Sequence, residues 1–118
     1  MVTTAPNVLV IDGLSETATV LEAVLSRRGT TVQQARDVRR AAEEFPGGVP
    51  AVVVIDGDDG PAATTVARRE WPASHQVVIA SARLPLDKPH ARFLQKPFQF
   101  PELVRLVEDL LAEAPRAA

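Results

Sequence analysis

Four polar residues each follow directly on a candidate strand: Asp12 after VLVI, Asp56 after VVVI, Ser81 after VVIA and Lys96 after RFLQ. The second of them opens the run DGDD, which sets three carboxylates within four positions. Taken singly, each residue has an ordinary use. An Asp or Ser after a strand forms turns and caps helices, and a Lys before Pro is commonly surface. Taken together they handle negative charge. Carboxylates hold hard cations or attack as nucleophiles, while an ammonium and a hydroxyl offer donors to an anion. Capping does not predict such a set on neighbouring strands.

The elements that must position these groups follow from the apolar pattern. Val8 to Ile11, Ala51 to Ile55, Val77 to Ala80 and Arg92 to Leu94 read as strands, with a fainter one from Thr30 to Ala35. VLVI, VVVI and VVIA are almost continuous in apolar residues, the pattern of strands covered on both faces of a parallel sheet. Between them lie helical stripes. Residues 15 to 28 carry Val20, Leu21, Val24 and Leu25, with Ser15 as the N-cap and Gly29 as the stop. Asp37 caps a short helix reaching Phe45. Pro61 opens a third helix ending near Trp71, and Pro101 opens a last one with Leu103, Leu106, Val107, Leu110 and Leu111. Strand and helix in alternation predict one α/β domain over residues 1–118, its core from about 7 to 112, built as an open doubly wound parallel sheet. In such sheets binding groups gather beyond the carboxyl ends of the strands, at the switch point in strand order.

The segments VLVIDG, VVVIDGD, VVIASA and FLQKPF resemble those of the receiver domain of two-component response regulators, a CheY-like family. The resemblance implies a flavodoxin-like five-stranded parallel sheet in the order 2-1-3-4-5, with helices on both faces. It implies that Asp56 is the phosphoacceptor, that Ser81 contacts the phosphoryl group and that Lys96 is its cationic partner. Magnesium is the implied cofactor, held by Asp12, Asp56 and the backbone carbonyl of Asp58. Phe93 takes the aromatic switch position, and the Lys96 to Pro97 peptide is expected to be cis. The implied partners are a histidine kinase or phosphotransfer protein and a downstream protein, with no enzymatic turnover of its own. The chemistry suits these roles. Phosphoryl transfer needs in-line positioning and neutralisation of spreading charge, which a cation, an ammonium and a hydroxyl supply around a carboxylate nucleophile.

Two features depart from the family pattern. A second acid normally follows the first strand and binds the metal directly, and here that position is Gly13, with Glu16, Asp58 or Asp59 as the nearest substitutes. Between the fourth and fifth strands, ARLPLDKPHA has no apolar stripe, so the fourth helix of the family is expected to be shortened or missing. These departures motivate an alternative, a phosphate-independent pseudo-receiver. A second alternative, a haloacid-dehalogenase-type phosphatase, is suggested by the D-x-D of Asp56 and Asp58, but past Lys96 the only Asp is Asp109.

Composition bounds the remaining choices. The chain of 118 residues carries a net charge of −2, and its 11 arginines and two lysines are scattered among acids, which argues against direct nucleic-acid binding. The absence of cysteine excludes disulfides and thiolate metal sites. No apolar run approaches the roughly 20 residues of a membrane span, and a cytoplasmic setting is expected. His75 and His90 read as surface loop residues, Trp71 as a packing residue, and the Arg pairs at 27 and 28, 39 and 40, and 68 and 69 as solvated helix faces.

Overall fold

Alternate residues of the apolar strands face opposite ways, so a strand with no polar residue must be covered on both sides. The computed structural model, which describes residues 7–11, 15–45, 48–59, 62–81 and 91–113, meets that requirement. Strands β1 (Val8–Ile11), β2 (Val32–Ala35), β3 (Val52–Asp56), β4 (His75–Ala80) and β5 (Ala91–Gln95) form one parallel sheet in the order β2-β1-β3-β4-β5. Helices α1 (Ser15–Leu25), α2 (Val38–Glu44), α3 (Ala62–Glu70) and α4 (Phe100–Glu113) lie between and after the strands. Strand order reverses between β1 and β3, which puts the switch point at their carboxyl ends.

Two apolar layers result. On one face Val8, Val10, Val52, Val54, Val77, Ile79 and Leu94 pack against Ala18, Leu21 and Leu25 of α1 and Leu103, Val107 and Leu110 of α4. On the other, Leu9, Ile11, Val53 and Ile55 meet Val38 and Ala41 of α2, Ala67 of α3, and Phe45 and Trp71 just past those helices. Local chemistry sets the ends of the elements. Asp37 caps α2 by accepting from the Arg40 amide at 2.8 Å. A short 3-10 turn, Ser26–Arg28, extends α1 and stops at Gly29, whose φ of 78° suits a residue without a Cβ. Arg28 of that turn pairs with Glu108 of α4, joining the two helices of one layer.

The structure corrects two expectations and refines a third. Val24 is 36% exposed and Ala18 is buried with Leu21 and Leu25, because the face of α1 against the sheet is rotated away from Val24 relative to the expected stripe. His75 is no surface loop residue: it opens β4, pairs in register with Val52 and is 8% exposed. Its amide donates to the Ala51 carbonyl at 3.0 Å, so the ladder starts two residues before the apolar run does. The first helix changes character within its expected span, α-helical to Leu25 and 3-10 from Ser26 to Arg28, before Gly29 stops it as expected. The segment 82–90, where the fourth family helix was expected to be shortened or missing, lies outside the described residues, as do Asp12, Gly13 and His90.

Leu103 is fully buried between α4 and the sheet. Leu103→Ala is expected to destabilise the fold by about 2–5 kcal/mol in denaturant unfolding, and Val24→Ala by under about 0.5 kcal/mol.

Candidate functional site

Register brings the strand-end residues to one place. Asp56 of β3 pairs with Ile79 of β4, and Ile79 pairs with Leu94 of β5. Two residues beyond that row on each strand come Asp58, Ser81 and Lys96. The Lys96 amide donates to the Ala80 carbonyl at 2.9 Å, which carries the β4–β5 ladder one step past the strand. Because side chains repeat every second residue, Ser81 continues the column of Val77 and Ile79, and Lys96 continues that of Leu94. The polar site is the sheet's apolar α1/α4 face prolonged past its edge.

The side chains close on one another there. The Lys96 Nζ lies 3.2 Å from each carboxylate oxygen of Asp56 and 2.9 Å from Oδ2 of Asp58. Asp56 is the more enclosed acid, its side chain 11% exposed against 37% for Asp58. Residues Gly57–Asp59 form a 3-10 turn in which the Asp58 amide donates back to Asp56 Oδ1 at 2.9 Å, a local bond that Asp favours two residues on. Ser81 then grips Asp58 twice: its amide donates to Oδ1 and its hydroxyl to Oδ2, both at 2.9 Å. The Gln95 side-chain amide donates to the Ser81 carbonyl at 3.2 Å, fixing the residue from the β5 side. The Lys96–Pro97 peptide is cis.

These contacts set the electrostatics. The Ser81 amide, the Lys96 ammonium and the Ser81 hydroxyl, in that order of weight, hold the Asp58 carboxyl down to about 2. Lys96 is raised above the ordinary lysine value, first by its bond to Asp58 and then, against partial burial, by Asp56. The folded carboxyl of Asp58 titrates below its unfolded value, so its contribution to stability is present above the ordinary carboxylate range and is lost as pH falls through about 2. For Lys96 the sign reverses, and its contribution disappears only as pH rises through the raised value.

Of the residues singled out in the sequence, the structure thus joins Asp56, Ser81 and Lys96, with Asp58 between them. Asp12 lies outside the described residues. Asp58 was expected to take part through its backbone carbonyl, or as a substitute for the acid missing at Gly13, and its side chain is bonded instead to Ser81 and Lys96. That role was signalled only by the acid's place two residues after Asp56, where a turn can fold it back. Among the described residues no group of three or more His, Asp or Glu side chains is arranged to hold a metal ion. The two carboxylates present are hard oxygen donors that suit magnesium in kind. Carbon-13 NMR of the side-chain carboxyls should place the Asp58 midpoint at about 2. Lys96→Met should move it upward by more than Ser81→Ala, which leaves the backbone donor in place.

No protein-family model and no curated protein matches this sequence. Solved structures do. A response regulator from Thermotoga maritima is 21% identical with a TM-score of 0.69, over 93% of this chain and 99% of that one. A response regulator receiver protein from Sinorhizobium medicae is 25% identical with a TM-score of 0.67, over 92% of this chain and 95% of that one. The signal receiver domain of an HD domain-containing protein from Pseudomonas fluorescens is 20% identical with a TM-score of 0.71, over 96% and 91% of the two chains. With its sheet order and these matches over nearly the whole chain, the chain has the fold of a response regulator receiver domain.

Proposed function

We propose that this domain accepts a phosphoryl group on Asp56 within a two-component phosphorelay. The observation that carries the reading is the Lys96 ammonium seated 3.2 Å from both oxygens of a largely buried carboxylate at the end of β3. A carboxylate held this way keeps a fixed positive charge beside it, which is what an anionic nucleophile needs to meet an anionic phosphoryl donor. An Asp56 oxygen attacks phosphorus in line. The bond from phosphorus to the donor's nitrogen or oxygen breaks, its electron pair leaves with the donor, and an acyl phosphate remains on Asp56. Lys96 neutralises part of the charge that spreads over the phosphoryl oxygens, and Ser81 supplies a hydroxyl donor to them. Magnesium, held by Asp56 and Asp12, would add the rest of that neutralising charge.

The donor in this reading is a histidine kinase or a phosphotransfer protein, and a downstream protein reads the result. Cytoplasmic residence goes with it, and among the described residues no helix is long and apolar enough to cross a membrane. The domain acts as an acceptor and does not turn over phosphate esters. A phosphatase built on Asp56 and Asp58 needs the second acid to deliver a proton near neutral pH, whereas Asp58 is held ionised down to about 2. A second reading, the pseudo-receiver, is favoured by Gly13 standing where a metal-binding acid is expected.

Incubation with a small acyl phosphate and magnesium, followed by intact mass, separates the two. The expected result is a gain of one phosphoryl group that Asp56→Asn abolishes and Lys96→Ala slows by on the order of 100-fold. A protein that gains no mass, or an Asp56→Asn variant that gains as much as the parent, refutes the acceptor role.

A further inference from the structure

A phosphoryl group on Asp56 would call on the Ser81 hydroxyl and the Lys96 ammonium, and in this structure both are already engaged by the Asp58 carboxylate. We propose that Asp58 is a built-in competitor for those donors, an internal anion that must leave before Asp56 can be loaded and that holds Ser81 engaged meanwhile. The inference rests on the acceptor reading of Asp56 and adds its regulation.

The geometry of the contact supports it. Ser81 donates its amide to one Asp58 oxygen and its hydroxyl to the other, so the carboxylate is gripped across both atoms. Lys96 adds a third donor at 2.9 Å, shorter than either of its approaches to Asp56. Asp58 therefore takes three donated bonds from the fourth and fifth strand ends, and Asp56 takes only the ammonium from them. Charge balance points the same way. One ammonium serves two carboxylates, so this trio has a net charge of −1, and loading replaces the Asp56 carboxylate by an acyl phosphate carrying up to about two negative charges, which takes the balance to about −2. The acyl phosphate and Asp58 then crowd one ammonium and repel, and the acid that can yield is the exposed one. Asp58 sits at the rim with its side chain 37% exposed, free to turn toward water, while Asp56 is enclosed. The domain thus has two arrangements, Asp58 in with Asp56 free, and Asp58 out with Asp56 loaded.

Two measurements on the wild-type chain and on Asp58→Ala test this, with Asp58→Asn as a second variant that keeps the side-chain volume. The first is the rate of phosphoryl gain from a small acyl phosphate with magnesium. The second is the Ser81 amide proton shift in a nitrogen-15 correlation spectrum without phosphodonor. Loss of the competing charge-assisted bonds should speed loading by about tenfold or more, and loss of the carboxylate acceptor should shift the Ser81 amide upfield. Loading of the wild type at a rate that neither variant exceeds overturns the competition and leaves Asp56 an acceptor. If no chain loads, yet the Ser81 amide moves in both variants, the acceptor reading fails and Asp58 stands as a permanent occupant of the site. An amide that moves in neither variant overturns the contact itself.

Discussion

Everything at this site depends on three parallel strands stopping in register. The row Asp56, Ile79, Leu94 is the last that the sheet closes across β3, β4 and β5, and the residues two steps on have nowhere to go but the same rim. A slip of one residue in any pairing would turn that strand's polar residue to the opposite face. The valines and isoleucines before it prevent the slip, since each face they fill is sealed by its own pair of helices. The hydrophobic effect thus fixes the geometry of a charged cluster it does not touch.

Charge then decides how that rim behaves. With two carboxylates and one ammonium, the local balance is negative, and the bonds from Ser81 make up part of the deficit by donating to Asp58. Hydrogen bonds to an ionised group are roughly twice as strong as neutral ones, so a serine at this position does more than a spacer would. The enclosed acid and the exposed acid share one cation and meet water unequally.

Much of this was legible in the chain. Continuous apolar runs in β1, β3 and β4 can only be strands buried on both faces, and the polar residue after each marks a carboxyl end. The resemblance to receiver domains supplied the strand order. What sequence could not show has physical causes. β2 is half polar because it lies at the sheet's edge, so its apolar signal is weak. His75 reads as loop because it is polar, yet burial there depends on pairing with β3 and not on its own character. Val24 looks like a stripe residue until the helix is docked, since the face that a helix buries is chosen by its neighbours. The part played by the Asp58 side chain required knowing where Ser81 would stand, a contact across 23 residues that no local pattern encodes.

The column that ends in Ser81 and Lys96 has a mechanical corollary. Those side chains prolong the face that packs on α1 and α4, while α2 and α3 rest on the reverse of the sheet. Interiors packed as tightly as crystals transmit strain through the atoms in contact. A disturbance of Ser81 or Lys96 thus has a packed route into the layer of α1 and α4, while one of Asp58 enters through the turn that precedes α3 in the chain.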